Sequence, residues 1–386
     1  MPFTVRSVHE SPVLLAVDGN SLVHRSFHSQ AATGLRSANG RPLWAIRGLL
    51  TQLVAAAERI GPAAIVVGFD DPATSHRRQR WPQYKAGRTE KLQTLVSQLI
   101  GAADVLRAMG VAVVVPDGLE ADDVLASAAG FARRAGARTV IMTSDRDSFA
   151  LIDDHTRVLR IINGGVDASP LLTPERLAIM LGIRPEQYRD YAALRGDPSD
   201  NLPGVRGIGA KTAARLLTAL GSAIAVFDDL AADGARVKEA VGNAAAARLA
   251  QPEARTAWEL NCQVMHMHTD LELGLSLTEG AGTLPLDPGA VGAAFRDHQL
   301  TWTTPAALQF LAYQEPPERR SDHAWAAAPS SGRAPEASWR PSGPAPRTPT
   351  SARTADSGRP GVPRYGRLVK HAAPKEPAAV QLSLFD

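Results

Sequence analysis

Acidic side chains recur in this chain where a folded sheet would gather them. Asp18 follows the apolar run "VLLAV" (13–17), Asp70 follows "AIVVGF" (64–69), and Asp145 and Asp147 follow "RTVIM" (138–142) within "TSDRD". Two stretches are denser: "GLEADDVL" carries Glu120, Asp122 and Asp123 where a helical pattern starts, and "RGDPSDNLPG" carries Asp197 and Asp200. Taken singly, an Asp in such a place is a turn former or a helix N-cap, and Glu120 and Asp122 suit a helix N-terminus by charge alone. Taken together, nine carboxylates in one crevice would repel one another and raise their own pKa values unless cations sat among them. A set made of oxygen donors, without His or Cys, suits hard divalent ions, Mg²⁺ or Mn²⁺, rather than zinc.

The elements that must position these acids are legible as alternating patterns. The three runs above, with "VAVVV" (111–115) and "RVLRI" (157–161), read as strands. Amphipathic stretches separate them; over 43–60, Leu49, Leu50, Leu53, Val54, Ala57 and Ile60 share one helical face. This alternation predicts an α/β fold with a mainly parallel sheet flanked by helices. Ligands of such sheets bind beyond the carboxyl ends of the strands, where these acids lie. From about Thr173 the strand signal fades, and "TPERLAIMLG" and "KTAARLLTALG" read as helices with Gly at their ends. The expected organisation is an α/β domain over 12–172, a helical region over 173–313, and a disordered Pro-, Ser-, Ala- and Arg-rich linker over 316–380.

Net charge says little about a partner. The chain carries 42 Lys and Arg against 39 Asp and Glu, and the 9 basic and 5 acidic residues of 321–386 leave 33 against 34 before them. Local arrangement says more. Residues 75–91 place Arg77, Arg78, Arg80, Lys85, Arg88 and Lys91 among Trp81 and Tyr84, and cations interleaved with aromatic faces suit single-stranded nucleic acid. A solvated basic helix has the same composition. In "LPGVRGIGAKTAARLL" (202–217), Gly204, Gly207 and Gly209 let backbone N–H groups approach phosphates, and Lys211 adds a charge. A helix–turn–helix connection can need those glycines for its geometry alone. The single Cys262 cannot form an internal disulfide, which suits a cytoplasmic protein, and no run approaches the roughly 20 apolar residues of a membrane span.

In this order the segments resemble the 5′-nuclease family: the 5′→3′ exonuclease domain of bacterial DNA polymerase I and its flap-endonuclease relatives, which share a PIN-like fold. The resemblance covers about residues 12–313. "VDGNSLVHRSFH" looks like the first acidic motif, with Arg25 in register, and "GFD" like the second; "RRQRWPQYKAGR" looks like a helical arch spanning about 75–97. "GLEADDVL" looks like the Glu-Ala-Asp-Asp signature, "TSDRD" like a Gly-Asp-Lys-Asp pattern, and "RGDPSDNLPGVRGIGAKTA" like the last acids joined to a helix–hairpin–helix clamp over 202–220. The resemblance implies one metal site at Asp18, Asp70, Glu120 and Asp122, with Asp123, Asp145, Asp147, Asp197 and Asp200 serving the second or its outer shell. It implies two-metal hydrolysis of a phosphodiester with Lys85 and Arg88 at the scissile phosphate, Arg25 and Arg77 guiding the 5′ strand, and a hairpin that grips duplex with a K⁺ ion. The expected substrates are DNA 5′ ends, flaps and RNA–DNA junctions, and the expected state is a monomer at the nucleoid. Ser144, Arg146 and His24 depart from the usual Gly, Lys and Tyr, which bears on strand guiding more than on chemistry. With no polymerase region after residue 313, a free-standing exonuclease is expected.

The last residues, "QLSLFD", set Leu382, Leu384 and Phe385 behind Gln381 at the end of a polar stretch. They resemble the Gln-Leu-x-Leu-Phe peptide by which bacterial replication proteins bind the sliding clamp, and an apolar groove is what such a tethered peptide requires. Docking on the protein's own core as a terminal strand is the other reading. Two further readings of the whole chain are a catalytically silent DNA-structure binder, which loss of an acid would favour, and a PIN-type ribonuclease toxin, which is shorter and lacks both the arch and the glycine-rich clamp.

Overall fold

The computed structural model describes residues 11–313; the linker expected over 316–380 and the residues Gln381, Leu382, Leu384 and Phe385 lie outside the described residues. In chain order the first half runs β1 (Val13–Asp18), α1 (Gly19–Gln30), α2 (Trp44–Ile60), β2 (Ala64–Gly68), α3 (His76–Arg80), α4 (Gln93–Ala108), β3 (Ala112–Val114), α5 (Ala121–Arg134), β4 (Arg138–Thr143), β5 (Thr156–Arg160) and β6 (Leu171–Leu172). The sheet order is β3-β2-β1-β4-β5-β6. Its first five strands are parallel, and β6 closes the edge antiparallel to β5.

The order of the strands reverses between β1 and β4, a topological switch point whose carboxyl side opens as a crevice. Strand side chains alternate between two cores, as the period of two demands. Leu15, Val17, Val67, Val140, Met142 and Leu159 face one side with α2 and α4. Leu14, Ala16, Val66, Ile141 and Val158 face the other with Val124, Leu125 and Ala128 of α5. Both faces are covered, which explains why the strands read as continuous apolar runs.

After residue 173 the helices pack on both faces of the sheet. Helices Pro174–Leu181, Tyr188–Arg195, Ala210–Leu220, Ala223–Ala232 and Pro252–Val264 build their core on the α5 side through Tyr188, Leu194, Leu216, Phe227 and Trp258. The chain then crosses back at 282–284, where Ile65 donates its N–H to the Gly282 carbonyl at 2.8 Å and Leu284 donates to Ala63 at 2.9 Å. From there Leu286, Val291, Phe295, Leu300 and Leu311 cover the opposite face. Without them the apolar sides of α2 and α4 would lie open to water. No single helix among the described residues is long and apolar enough to cross a membrane.

Candidate active site

Each strand of the switch point delivers an acid, and hydrogen bonds aim it. Asp18, the last residue of β1, is buried; its Oδ1 accepts from the Ser21 N–H at 2.8 Å, capping α1, and its Oδ2 accepts from the Thr143 hydroxyl of β4 at 2.7 Å. Burial, opposed by those bonds and assisted by Asp145 and Asp70, pushes the Asp18 carboxyl up to about 7. Asp70, just past β2, accepts from the Ala121 N–H at the start of α5 at 3.0 Å and from the Asn20 side chain. Asp122 is held well above the usual carboxylate range by burial and by Asp145, Asp18 and Asp147. Asp147 is pushed up to about 7 by burial and by Asp145, Asp200 and Asp197.

A cleft of about 580 Å³ opens among these groups. Asp18, Asp70, Asp122 and Asp145 line it together with Lys85, Arg88 and Lys91 from the basic segment and His24, Arg25 and His28 from α1. Acids and cations thus share one cavity of the size that a nucleotide-scale group occupies. His24 stays neutral, its pKa lowered to about 4 by burial and by Lys91, His28 and Arg88. Among the described residues no three acidic or imidazole side chains enclose a point where an ion would be fully ligated.

Asp145 joins the cleft, whereas Glu120 turns to the basic segment: its Oε1 accepts from Lys85 Nζ at 3.0 Å, and its Oε2 from the Tyr84 hydroxyl at 3.0 Å and Arg77 Nη1 at 3.2 Å. Asp200 is buried and pairs with Arg88; Asp197 bonds Ser199 in its own turn. All four acceptor positions of Asp123 are filled, by Arg77 Nη1 and Nη2 (both 2.7 Å), the Glu120 N–H (3.0 Å) and the His268 N–H (2.9 Å), so it stands behind the cleft acids rather than among direct ligands.

The arch expected over 75–97 is the short helix α3, turns over 82–87 that fold down onto Glu120 and Asp200, and the first residues of α4. Arg77 is therefore not a strand guide: its guanidinium is buried among protein acceptors. Tyr84 is no stacking platform, because it is buried with its hydroxyl on Glu120. Trp81 is half-buried near Tyr84, Leu202 and Val264, and the Arg80 guanidinium sits 4.8 Å from its ring centre. Arg78 and Arg80 are exposed. Lys85 adopts φ 56°, a left-handed conformation that non-glycine residues avoid, held by its N–H bond to the Asp200 carbonyl at 2.9 Å.

In the hairpin, Gly204 serves packing rather than phosphate contact: a Cβ there would lie 2.1 Å from the Arg195 carbonyl oxygen. Gly207 (φ 77°), Gly209 and Lys211 are exposed at the start of the helix Ala210–Leu220. Sequence reasoning missed Asn163, which lines the cleft and accepts from Arg25 Nη2 at 2.7 Å. It also missed His28, which shares a helical face with His24 one turn away.

Comparison with known proteins is consistent along the described chain. A family model described as the 5′-3′ exonuclease N-terminal resolvase-like domain matches residues 13–179, and one described as the 5′-3′ exonuclease C-terminal SAM fold matches residues 183–285. DNA polymerase I of Mycobacterium bovis is 38% identical over 239 residues, 62% of this chain and 26% of that protein. The thermostable DNA polymerase I of Thermus aquaticus is 38% identical over 260 residues, 67% of this chain and 29% of that protein. The chain thus spans less than a third of the length of either polymerase. Among solved structures, the T5 5′-exonuclease with bound zinc ions is similar with a TM-score of 0.52 and 19% identity, over 78% of this chain and 99% of that one. A bacteriophage T5 flap endonuclease complex with DNA and metal ions gives a TM-score of 0.51 and 19% identity, over 77% of this chain and 100% of that one. At such identities these two speak for the fold.

Proposed function

The chain belongs to the 5′-3′ exonuclease family, and from that premise we propose that it is a divalent-metal-dependent nuclease that hydrolyses DNA from 5′ ends and at 5′ flaps. The observation that carries this reading is the single cleft in which Asp18, Asp70, Asp122 and Asp145 meet Lys85, Arg88 and Lys91. Asp18 and Asp122, whose carboxyls burial and neighbouring acids push upward, are a poor structural device and a good cation site.

The donor set fits Mg²⁺ or Mn²⁺: every candidate ligand is a carboxylate oxygen, and ions that keep several of their waters need only one or two protein ligands each. Bound by Asp18, Asp70, Asp122 and Asp145, with Asp147, Asp197 and Asp200 in support, they would supply an activated water and stabilise the leaving oxygen. The protein's own cations do the rest. Lys85 and Arg88 stay protonated beside Glu120 and Asp200 and offset charge building on the scissile phosphate. Arg25, anchored to Asn163, positions the strand that enters the cleft. The exposed hairpin at Gly207, Gly209 and Lys211 holds the duplex by its phosphates, with K⁺ as a bridging ion.

The deciding experiment is cleavage of a 5′-labelled flapped duplex with and without Mg²⁺ or Mn²⁺, comparing the wild type with Asp145→Ala. Metal-dependent release of 5′ products that the substitution abolishes supports the reading; tight flap binding without cleavage under either metal sinks it. The reading includes a monomer acting on chromosomal DNA and RNA–DNA junctions, recruited by the sliding clamp through Gln381, Leu382, Leu384 and Phe385. Removing residues 381–386 should leave cleavage of free flaps unchanged and remove only the stimulation by clamp-loaded DNA.

A further inference from the structure

Arg77 makes five hydrogen bonds and has no donor left over. Nε donates to the Val264 carbonyl at 3.1 Å, Nη1 to Asp123 at 2.7 Å and Glu120 at 3.2 Å, and Nη2 to Asp123 at 2.7 Å and the His266 carbonyl at 2.6 Å. Its position at the base of the basic segment lets it join three parts of the chain distant in sequence: α3, the first turn of α5, and the end of the helix Pro252–Val264. Asp123 faces it with no solvent exposure, one residue from a cleft acid and three from Glu120.

We infer that Arg77 and Asp123 are positioning residues, a buried latch that fixes the Glu120 carboxylate and, through it, sets Lys85 over the cleft; the inference rests on the nuclease reading above. The geometry carries it in two steps. Arg77 and the Tyr84 hydroxyl hold Glu120 Oε2, so the carboxylate presents Oε1 to Lys85 Nζ at 3.0 Å. Asp123 in turn fixes the Arg77 plane by a two-pronged pair and caps the Glu120 N–H at 3.0 Å, so the backbone and side chain of Glu120 are set by the same two residues. A guanidinium with every donor engaged has no capacity for a phosphate, and a carboxylate with every acceptor position filled has none for a cation. Partners one step removed from the reacting groups typically change metal affinity or activity about 10–100-fold when lost.

The test is the double variant Arg77→Met with Asp123→Leu in the full chain. It removes both charges together, so neither is left buried and alone. Melting temperature and circular dichroism establish that it folds; Mn²⁺ affinity by electron paramagnetic resonance without DNA, kcat on a flap, and flap Kd follow. Because Asp123 also caps the turn of α5 that carries Asp122 and the Ala121 N–H accepted by Asp70, the latch predicts Mn²⁺ affinity and kcat both lowered, by about 10-fold or more, with flap Kd unchanged. Unaltered Mn²⁺ affinity and kcat in a folded variant overturn it, and so does lost flap affinity with kcat retained, which would put Arg77 on DNA. A merely structural role lowers the melting temperature and leaves the other readings of the folded protein alone. Should the double variant fail to fold, Tyr84→Phe removes one donor from Glu120 without opening the core and must lower kcat in the same direction. A wild type that cleaves nothing sinks the nuclease reading, while the Mn²⁺ comparison still decides the latch.

Discussion

Thr143 donates its hydroxyl to Asp18 across the gap between β4 and β1 at 2.7 Å, and the same oxygen accepts the Asp145 N–H at 3.0 Å. One side chain thus aims two cleft acids from opposite sides of the switch point. Replacing it by Val keeps the shape and removes both bonds, leaving a buried carboxylate with one fewer donor. Thr143→Val should cost about 1–3 kcal/mol of stability and lower kcat about 10-fold. Thermal unfolding and single-turnover cleavage check the pair; a loss of stability with kcat untouched would mean that Asp18 does not take part in the chemistry.

Metal-free protein should become less stable as the pH rises. Burial, with neighbouring acids, pushes the Asp18 and Asp147 carboxyls up to about 7, well above their unfolded value. Between about pH 4 and 7 the folded state therefore holds protons that the unfolded state has released, and linkage makes stability fall as pH climbs through that window. His24 has the opposite sign: lowered to about 4, it weakens the fold as the pH drops below about 6.5. With a chelator, the two acids outweigh the one histidine, so melting temperature should fall from about pH 4 to about pH 7 and level off above it. Adding Mg²⁺ or Mn²⁺ should raise it most at the alkaline end, where the acids are ionised. A cation effect independent of pH would mean that these acids do not bind it.

Much of this arrangement was readable before any coordinates. The strands begin and end within a residue or two of their apolar runs because both faces of the sheet are buried, so the runs are largely apolar and, after β1, β2 and β4, the first acid marks the carboxyl end. The acids of the cleft were readable for the same reason. Arg77 and Tyr84 were misread because charge and an aromatic hydroxyl in "SHRRQRWPQYKAGR" suggest a solvated surface; only the fold brings Asp123, Glu120 and two backbone carbonyls around them. The return of 282–312 to the first face was hidden in helical periodicity that does not say which apolar surface it will cover. Asn163 sits in a loop whose composition carries no signal, and its role appears only where α1 approaches the end of β5.

Lys211 stands in the first turn of the helix Ala210–Leu220, exposed, where the helix dipole disfavours a cation. Its place is therefore not explained by stability. Lys211→Ala should leave the melting temperature unchanged or slightly raised and weaken binding to every duplex sequence alike. The slope of log affinity against log salt should become shallower by about 1, the signature of one lost phosphate contact. An unchanged slope would show that the hairpin does not meet the DNA backbone.

Lys85 combines a left-handed backbone, φ 56°, with an ammonium 3.0 Å from Glu120, and two substitutions separate those properties. Lys85→Ala and Lys85→Gly both remove the charge, so both should lower kcat by about 10²–10³ if Lys85 stabilises charge on the transferring phosphate. Only glycine adopts the left-handed region without penalty, so Lys85→Gly should be the more stable of the two by about 1 kcal/mol. Urea denaturation reads the second difference and single-turnover kinetics the first. If Lys85 acted only as a turn former, the glycine variant would retain activity that the alanine variant loses. Equal kinetic loss with unequal stability places the backbone strain in the service of aiming one ammonium group at the cleft.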